Sequence, residues 1–257
     1  MSLSSDQLTL ALSPRSVRYY DSIGSTNDAA TEWLLAGAPN GSVVVADEQT
    51  HGRGRFGRTW YTPPQTALAV SVILYPDIAH LPQVNMAAAL AIQEAVKVLG
   101  AEDVTLKWPN DVLLGERKIC GILPEIARDS DNVARGVVLG IGVNVRNGFA
   151  GTALEASATS LEAALQRPVE RTALLSVILF RLEHWLGQLG SAALLNSYQA
   201  AISFIGQPIT LYAVDVTYHG VAARVASDGA LIVRFTDGRE QAMYAGDVTL
   251  HSAGNAP

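Results

Sequence analysis

Three arginines and three glycines share the stretch EQTHGRGRFGRTW, Glu48 to Trp60. Arg53, Arg55 and Arg58 are guanidinium forks suited to bidentate contact with carboxylate or phosphate oxygens. Gly52, Gly54 and Gly57 leave backbone N–H groups open to a bound anion. The glycines also spell G-x-G-x-x-G, but a dinucleotide fingerprint needs a helix that begins inside it and holds the pyrophosphate. Here Gly57 is followed by RTWYTPPQ, and Pro63–Pro64 cannot lie within a helix. A nucleic-acid RGG segment needs a disordered, low-complexity setting. This one lies between two β-branched or apolar runs, SVVVADEQ and TALAVSVILY, so it reads as a loop inside a sheet. The chemistry that remains is a flexible loop presenting cations and amides to a small anionic ligand.

The elements around that loop follow from periodicity and punctuation. STNDAATEWLLAGA opens on capping-type residues, spaces Ala29, Ala30, Trp33 and Leu34 as a helix does, and stops at Gly37 and Pro39, predicting a helix from about Thr26 to Ala36. QVNMAAALAIQEAVKVLG, Ala-rich and ending at Gly100, predicts a second helix packed on the sheet. VTLKW, DVLLG, KICGILPEIA and GVVLGIGVNV are short strands in close succession, with Gly-Glu-Arg and Asp-Ser-Asp-Asn as hairpin turns, which implies antiparallel pairing. VERTALLSVILFRLEHWLGQLG is a long helix with Leu174, Leu175, Ile178, Leu182 and Trp185 on one face, and a shorter helix covers about Ala192–Ala201. From Gly206 short strands broken by YHG, SDG and TDG indicate a small β-barrel, with SAGNAP a loose tail. The expected division is residues 1–205 and 206–257, with the boundary near Ser203–Gly206.

Composition limits the function. The 257 residues are 49% hydrophobic and 16% charged, enough for one large domain or one plus a small appendage. A formal charge of −6 opposes general nucleic-acid binding, which depends on basic surface. Cys120 is alone, which excludes an intrachain disulfide and marks it as a small buried hydrophobe, and no metal-ligand spacing is present. The N-terminal residues lack a signal-peptide pattern and Ala173–Phe180 is too short to span a bilayer, so no membrane role and a cytoplasmic location are expected.

Taken in order, STN at Ser25–Asn27, EQTHGRGRFGRTW, KWPND at Lys107–Asp111, RKICGILPE and GIGVNV resemble the motifs of biotin–protein ligases, from about Ser22 to Leu161. The resemblance implies an α+β fold, with a mixed, largely antiparallel sheet and packed helices of the class II synthetase-like, biotin/lipoate ligase type. It adds a small C-terminal SH3-like β-barrel. It implies that biotin and ATP, with Mg2+ in the substrate complex, form biotinyl-5′-AMP, and that biotin passes to one lysine of a biotin carboxyl carrier protein. Monomer and weak dimer are both left open.

By the same resemblance Lys107, Arg53 and Arg55 are catalytic, aimed at charge on the biotin carboxylate and the α-phosphate. Lys107, between Leu106 and Trp108, suits an ammonium held at a pocket wall. Ser25, Thr26, Asn27, Gln49, Gly52, Arg53, Gly54, Arg55 and Lys107 are the implied biotin set. Ser25 and Thr26 also read as a helix N-cap, and a cap would fix the hydroxyl. Arg55, Arg58, Trp60, Lys107 and Asn144 are the implied nucleotide set. Trp60 either covers the adenylate or fills core, and Gly121, Gly140, Gly142 and Asn144 line a pocket or mark a twisted strand. His51 and Cys120 stand where the family usually carries Ala, and Pro124 where it carries an aliphatic residue.

Three rival readings are weaker. The RRxxGGG-type loop of lipoate–protein ligases is absent, too little sequence precedes Asp21 for a helix-turn-helix repressor domain, and Arg55 with Lys107 argues against a dead biotin-binding module. The glycine-rich loop is expected to be mobile when empty and to fold over the ligand, because ordering it costs about 1–2 kcal/mol per residue.

Overall fold

The computed structural model describes residues 3–213 and 216–250. The first seven strands are β1 (Val17–Ile23), β2 (Val43–Gln49), β3 (Ala67–Leu74), β4 (Val104–Lys107), β5 (Asp111–Leu114), β6 (Arg117–Arg128) and β7 (Ala134–Asn144). They form one sheet in the order β1-β2-β3-β7-β6-β5-β4, with β1 and β2 parallel and the other neighbours antiparallel. The helices are α1 (Ser5–Ala11), α2 (Thr26–Leu35), α3 (Leu81–Val98), α4 (Leu161–Leu165), α5 (Arg171–Leu186) and α6 (Ala192–Ala201). Helix α2 makes the crossover that a parallel β1–β2 pair requires. Strand β1 and helices α1 and α4 had no counterpart in the sequence reading. VRYYDSI is a sheet edge with no residue fully buried, so it carries little of the apolar alternation that marks a strand.

Side-chain alternation divides the sheet into two faces. Val43, Val45, Leu68, Val70, Val72, Leu139, Ile141 and Val143 point into the main core, beneath α3 and α5. Val44, Ile73 and Val138 point the other way, against Ala29, Ala30 and Leu34 of α2. Helix α2 covers only part of that second face. Beyond it the register brings Ser71 opposite Gly140, Ala69 opposite Gly142, and Gly142 opposite Gly121, a floor of small residues with room above it. The expected face of α5 is buried at Leu174, Leu175, Ile178, Leu182 and Trp185. At its start Arg171 is fully buried against Asp47 of β2 at 2.7 Å and donates to the Ala67 carbonyl.

Pro124 does not interrupt β6. Pairing with β5 stops at Gly121, so from there β6 has β7 alone as neighbour and the missing N–H is on a free edge.

The C-terminal strands are β8 (Pro208–Ala213), β9 (Val216–Val225), β10 (Leu231–Arg234), β11 (Glu240–Met243) and β12 (Asp247–Leu250), antiparallel in the order β11-β10-β9-β8-β12. Gly229 and Gly238, at φ +84° and +85°, make the expected SDG and TDG turns. YHG is a correction: β9 runs through Tyr218–Gly220 without a break. Gly220 is there because a Cβ would stand 2.6 Å from Val233 Cγ1 and 2.8 Å from the Arg234 carbonyl, a close crossing that reads like a turn signal in sequence. The expected boundary lies in the connection from α6 to β8, and the SAGNAP tail lies outside the described residues.

Candidate active site

A cavity of about 980 Å³ opens over the small-residue floor, between α2, the Glu48–Trp60 loop, the β4–β5 turn and the C-terminal sheet. Its inner end is polar. Ser25, Thr26 and Asn27 are buried to 4%, 3% and 5% exposure at the start of α2. Gln49, the last residue of β2, accepts through Oε1 from the Thr26 backbone N–H (2.9 Å) and hydroxyl (3.0 Å). Gln49 therefore caps α2 from outside the helix, while Ser25 occupies the N-cap position without a side-chain cap bond. The expected hydroxyl cap is thus corrected: the Ser25 hydroxyl is not committed to α2.

Ser71 completes this end. Its hydroxyl lies 2.8 Å from Thr26 Oγ1 and 2.6 Å from Asn27 Oδ1, and Asn27 Nδ2 donates to Glu125 Oε2 (2.5 Å) and to the Leu123 carbonyl (3.3 Å). A Cβ on Gly140 would stand 2.5 Å from Asn27 Oδ1, so the glycine makes the space that Asn27 fills. Neither Ser71 nor Glu125 was assigned from sequence. Ser71 carried a usable signal, as the one polar residue in the fully buried strand ALAVSVIL.

The loop leaves β2 and returns as an irregular hairpin, with Arg53 bridged to Thr59 and Gln49 to Thr62. Gly52 is required at its base, since a Cβ would meet the Trp60 carbonyl at 2.5 Å; Gly54 lies opposite the Arg58 carbonyl. Phe56 and Gly57, at φ +56° and +71°, turn the tip, and His51 is exposed as expected. The Trp60 indole lies over Gly142, where a Cβ would be 2.4 Å from the ring, and also meets Gly121. Strand pairing is regular at both glycines, so close approach of Trp60, not a bulge, explains them. Trp60 is a wall of the cavity, and its buried Nε1 has no hydrogen-bond partner.

Around the rest of the cavity stand the cations. Lys107 ends β4 in register with Asp111 and, among the described residues, has no ion-pair partner. Arg55 donates to Asn110 Oδ1 (3.2 Å) and stacks on Phe56; burial pulls its pKa below the ordinary guanidinium value. Lys118, quoted within RKICGILPE but given no role from sequence, pairs with Asp111 at 2.6 Å and stands 5.4 Å from the Trp60 ring centre. Arg58 pairs with Asp247 of β12. Asn144 lines the cavity, but its Nδ2 is spent on the Thr159 (3.2 Å) and Lys118 (3.4 Å) carbonyls. Arg53 forks onto Asp28 and reaches Glu125. Cys120 is buried, and desolvation pushes its thiol well above the ordinary range.

Residues 19–144 match the model of the Biotin/lipoate A/B protein ligase family. The chain is 32% identical over 240 residues to the bifunctional ligase/repressor BirA of Bacillus subtilis, covering 90% of this chain and 73% of that protein. It is 33% identical over 226 residues to the biotin–[acetyl-CoA-carboxylase] ligase of Paracoccus denitrificans, covering 84% of this chain and 93% of that one. Its fold is similar to that of the biotin protein ligase from Aquifex aeolicus in complex with biotin and ATP, with a TM-score of 0.79, 24% identity and coverage of 92% and 98%. With the motifs from Ser25 to Asn144 inside the matched span and relatives aligned along most of the chain, this protein belongs to the biotin/lipoate A/B protein ligase family.

Proposed function

We propose that the protein is a biotin–[acetyl-CoA-carboxylase] ligase, which activates biotin with ATP and passes it to a lysine of a biotin carboxyl carrier protein. The observation that carries this reading is the division of one cavity into a buried hydroxyl–amide end and a cationic end. Biotin's ureido ring is neutral and needs both donors and acceptors; Ser25, Thr26, Asn27, Gln49 and Ser71 offer them. A site built this way disfavours the dithiolane of lipoate, which offers the Ser25 hydroxyl no partner and cannot exchange hydrogen bonds with the Thr26–Gln49–Ser71–Asn27 network.

The biotin carboxylate oxygen attacks the α-phosphorus and pyrophosphate leaves, giving the mixed anhydride. Two anions must be held together while negative charge grows on the phosphate oxygens, and in this reading Arg55, Lys107 and Lys118, which line the cavity, supply the counter-charge. Mg2+ arrives with the nucleotide, held mainly by phosphate oxygens. In the second step the carrier lysine's amine attacks the biotinyl carbonyl, AMP leaves with the bonding pair, and the amide nitrogen loses a proton. Lys107, which has no ion-pair partner among the described residues, neutralises the leaving AMP in this reading. Trp60, a wall of the cavity, covers the adenylate with its ring.

A cytoplasmic location and action as ligase without DNA binding complete the reading. The charge of −6 supports the second; among the described residues no helix is long and apolar enough to cross a membrane. The test is mass spectrometry of the protein incubated with biotin and MgATP, beside calorimetric titration with biotin and with lipoate. Biotinyl-5′-AMP in the protein fraction and heat from biotin alone are expected. Lipoate binding or transfer at matched concentration would reassign the chain to the lipoate branch.

A further inference from the structure

Arg53 is a loop cation whose charge is already answered. Its Nη1 and Nη2 lie 2.7 and 2.6 Å from the two oxygens of Asp28, and Nη2 lies 3.5 Å from Glu125 Oε2. Asp28 is in the first turn of α2, directly after Asn27, where the helix N-terminus also favours an anion. Glu125 Oε2 is the same atom that accepts from Asn27 Nδ2, while Ser71 holds Asn27 at its other end. The Arg53 fork thus joins a continuous chain of contacts running Gln49, Thr26, Ser71, Asn27, Glu125. Thr50 and His51 N–H bond the Ile23 and Gly24 carbonyls and tie the root of the loop to the β1–α2 connection, and Arg55 on Asn110 and Arg58 on Asp247 hold its far side. The bonds of Gly54 N–H to Arg58 and Trp60 N–H to Gly52 only shape it, so Arg53 is the contact that ties it to α2.

We propose that Asp28 and Glu125 latch the Glu48–Trp60 loop over the polar end of the cavity through Arg53, so that Arg53 is a positioning residue and not part of the phosphate clamp. Because Glu125 also orients Asn27, the latch and the ring-binding amide share one carboxylate, and opening the loop loosens Asn27. The effect on ligand release rests on the biotin reading; the latch itself does not. Arg53 also holds the Asp28 carboxyl below the usual carboxylate range. Both partners are partly exposed, at 41% and 58%, which limits the pair to the upper end of surface ion-pair strength, a factor of about five in opening.

The test uses the full chain without ligand. Hydrogen exchange at Gly54 and Trp60 is measured in wild type, Asp28→Asn, Arg53→Gln and the double variant. Asp28→Asn is expected to exchange about five-fold faster, Arg53→Gln, which also loses Glu125, at least as fast, and the double variant no faster than Arg53→Gln. Asp28→Glu should restore much of the protection. The second arm measures biotin release, expected to quicken about five-fold in Asp28→Asn, while its adenylate formation at saturating biotin and ATP stays within about two-fold. Unchanged exchange in Asp28→Asn overturns the latch. So does a collapse of saturated adenylate formation in Arg53→Gln that Asp28→Asn does not share, which would return Arg53 to the phosphate. If wild type failed to bind biotin, the biotin reading would fall and the exchange arm would still decide the latch.

Discussion

An ammonium without a carboxylate partner, at the wall of a polar cavity, has to meet its counter-charge in the ligand. Among the described residues Lys107 is in that position, while Lys118 is held by Asp111 and Arg58 by Asp247. Lys107→Ala and Arg55→Ala are therefore each expected to lower adenylate formation by roughly two orders of magnitude, read as single-turnover release of pyrophosphate. Lys107→Arg should recover little, because a planar fork does not replace a compact charge. Turnover near wild type in both alanine variants would remove these residues from the chemistry. Cys120 makes a different expectation. Fully buried on β6, with its thiol pushed up by desolvation, it should resist iodoacetamide at pH 8 in the native protein and react on unfolding. Labelling of folded protein, seen by intact mass, would mean that β6 opens.

At the scale of elements, β7 positions the site through its period of two. Ile141 and Val143 face the core, while Gly140, Gly142 and Asn144 face the cavity, so GIGVNV spells both sides of the strand. Gly140→Ala should displace Asn27 and weaken biotin binding by about ten-fold or more, since buried amide contacts are lost. Gly142→Ala should push Trp60 off the floor and weaken the adenylate more than biotin. Gly148→Ala, where nothing lies within 4 Å of the added carbon, is the control and should bind normally. Equal affinities in all three, by calorimetry, would show that the floor yields. The same strand explains what could be read beforehand. Local alternation and turn chemistry revealed β2 to β7, α2, α3 and α5, and the order of motifs located the loop. Contacts between segments far apart in the chain left no such trace: Arg53 to Glu125, Gln49 capping α2, and Asn144 spent on Thr159 each depend on the register of the folded sheet. Gly220 shows the reverse error, since a glycine needed for a close strand crossing has the same letter as one needed for a turn.

Over the whole molecule, the C-terminal sheet grips the segment that carries Lys107. Trp108, 2% exposed, donates its indole N–H to the Gly229 carbonyl at 2.9 Å in the β9–β10 turn. The next turn of chain is held as well, because the Pro109 carbonyl accepts from Tyr198 of α6 at 3.2 Å and from Asn85 of α3. Gln83 of α3 reaches the Ser227 carbonyl at 3.0 Å, so α3, α6 and the C-terminal turn converge on residues 108–109. Apolar contact between the two sheets is continuous, with Ile209, Leu211, Leu231 and Val233 in the same core as Leu106 and Trp108. The C-terminal sheet is thus part of the frame that aims Lys107, at a distance from the polar end where Asn27 and Gln49 lie. Trp108→Phe tests this, since the ring stays apolar while the Gly229 carbonyl loses its partner. An unsatisfied buried acceptor and the smaller ring together cost about 1–3 kcal/mol, measurable by urea unfolding. If the bond also aims Lys107, the variant should lose adenylate formation several-fold at saturating substrates while its biotin affinity stays near wild type. A fall in biotin affinity matching the fall in rate would mean that the whole cavity had relaxed. Stability lost with the rate intact would mean that Lys107 is held by β4 alone.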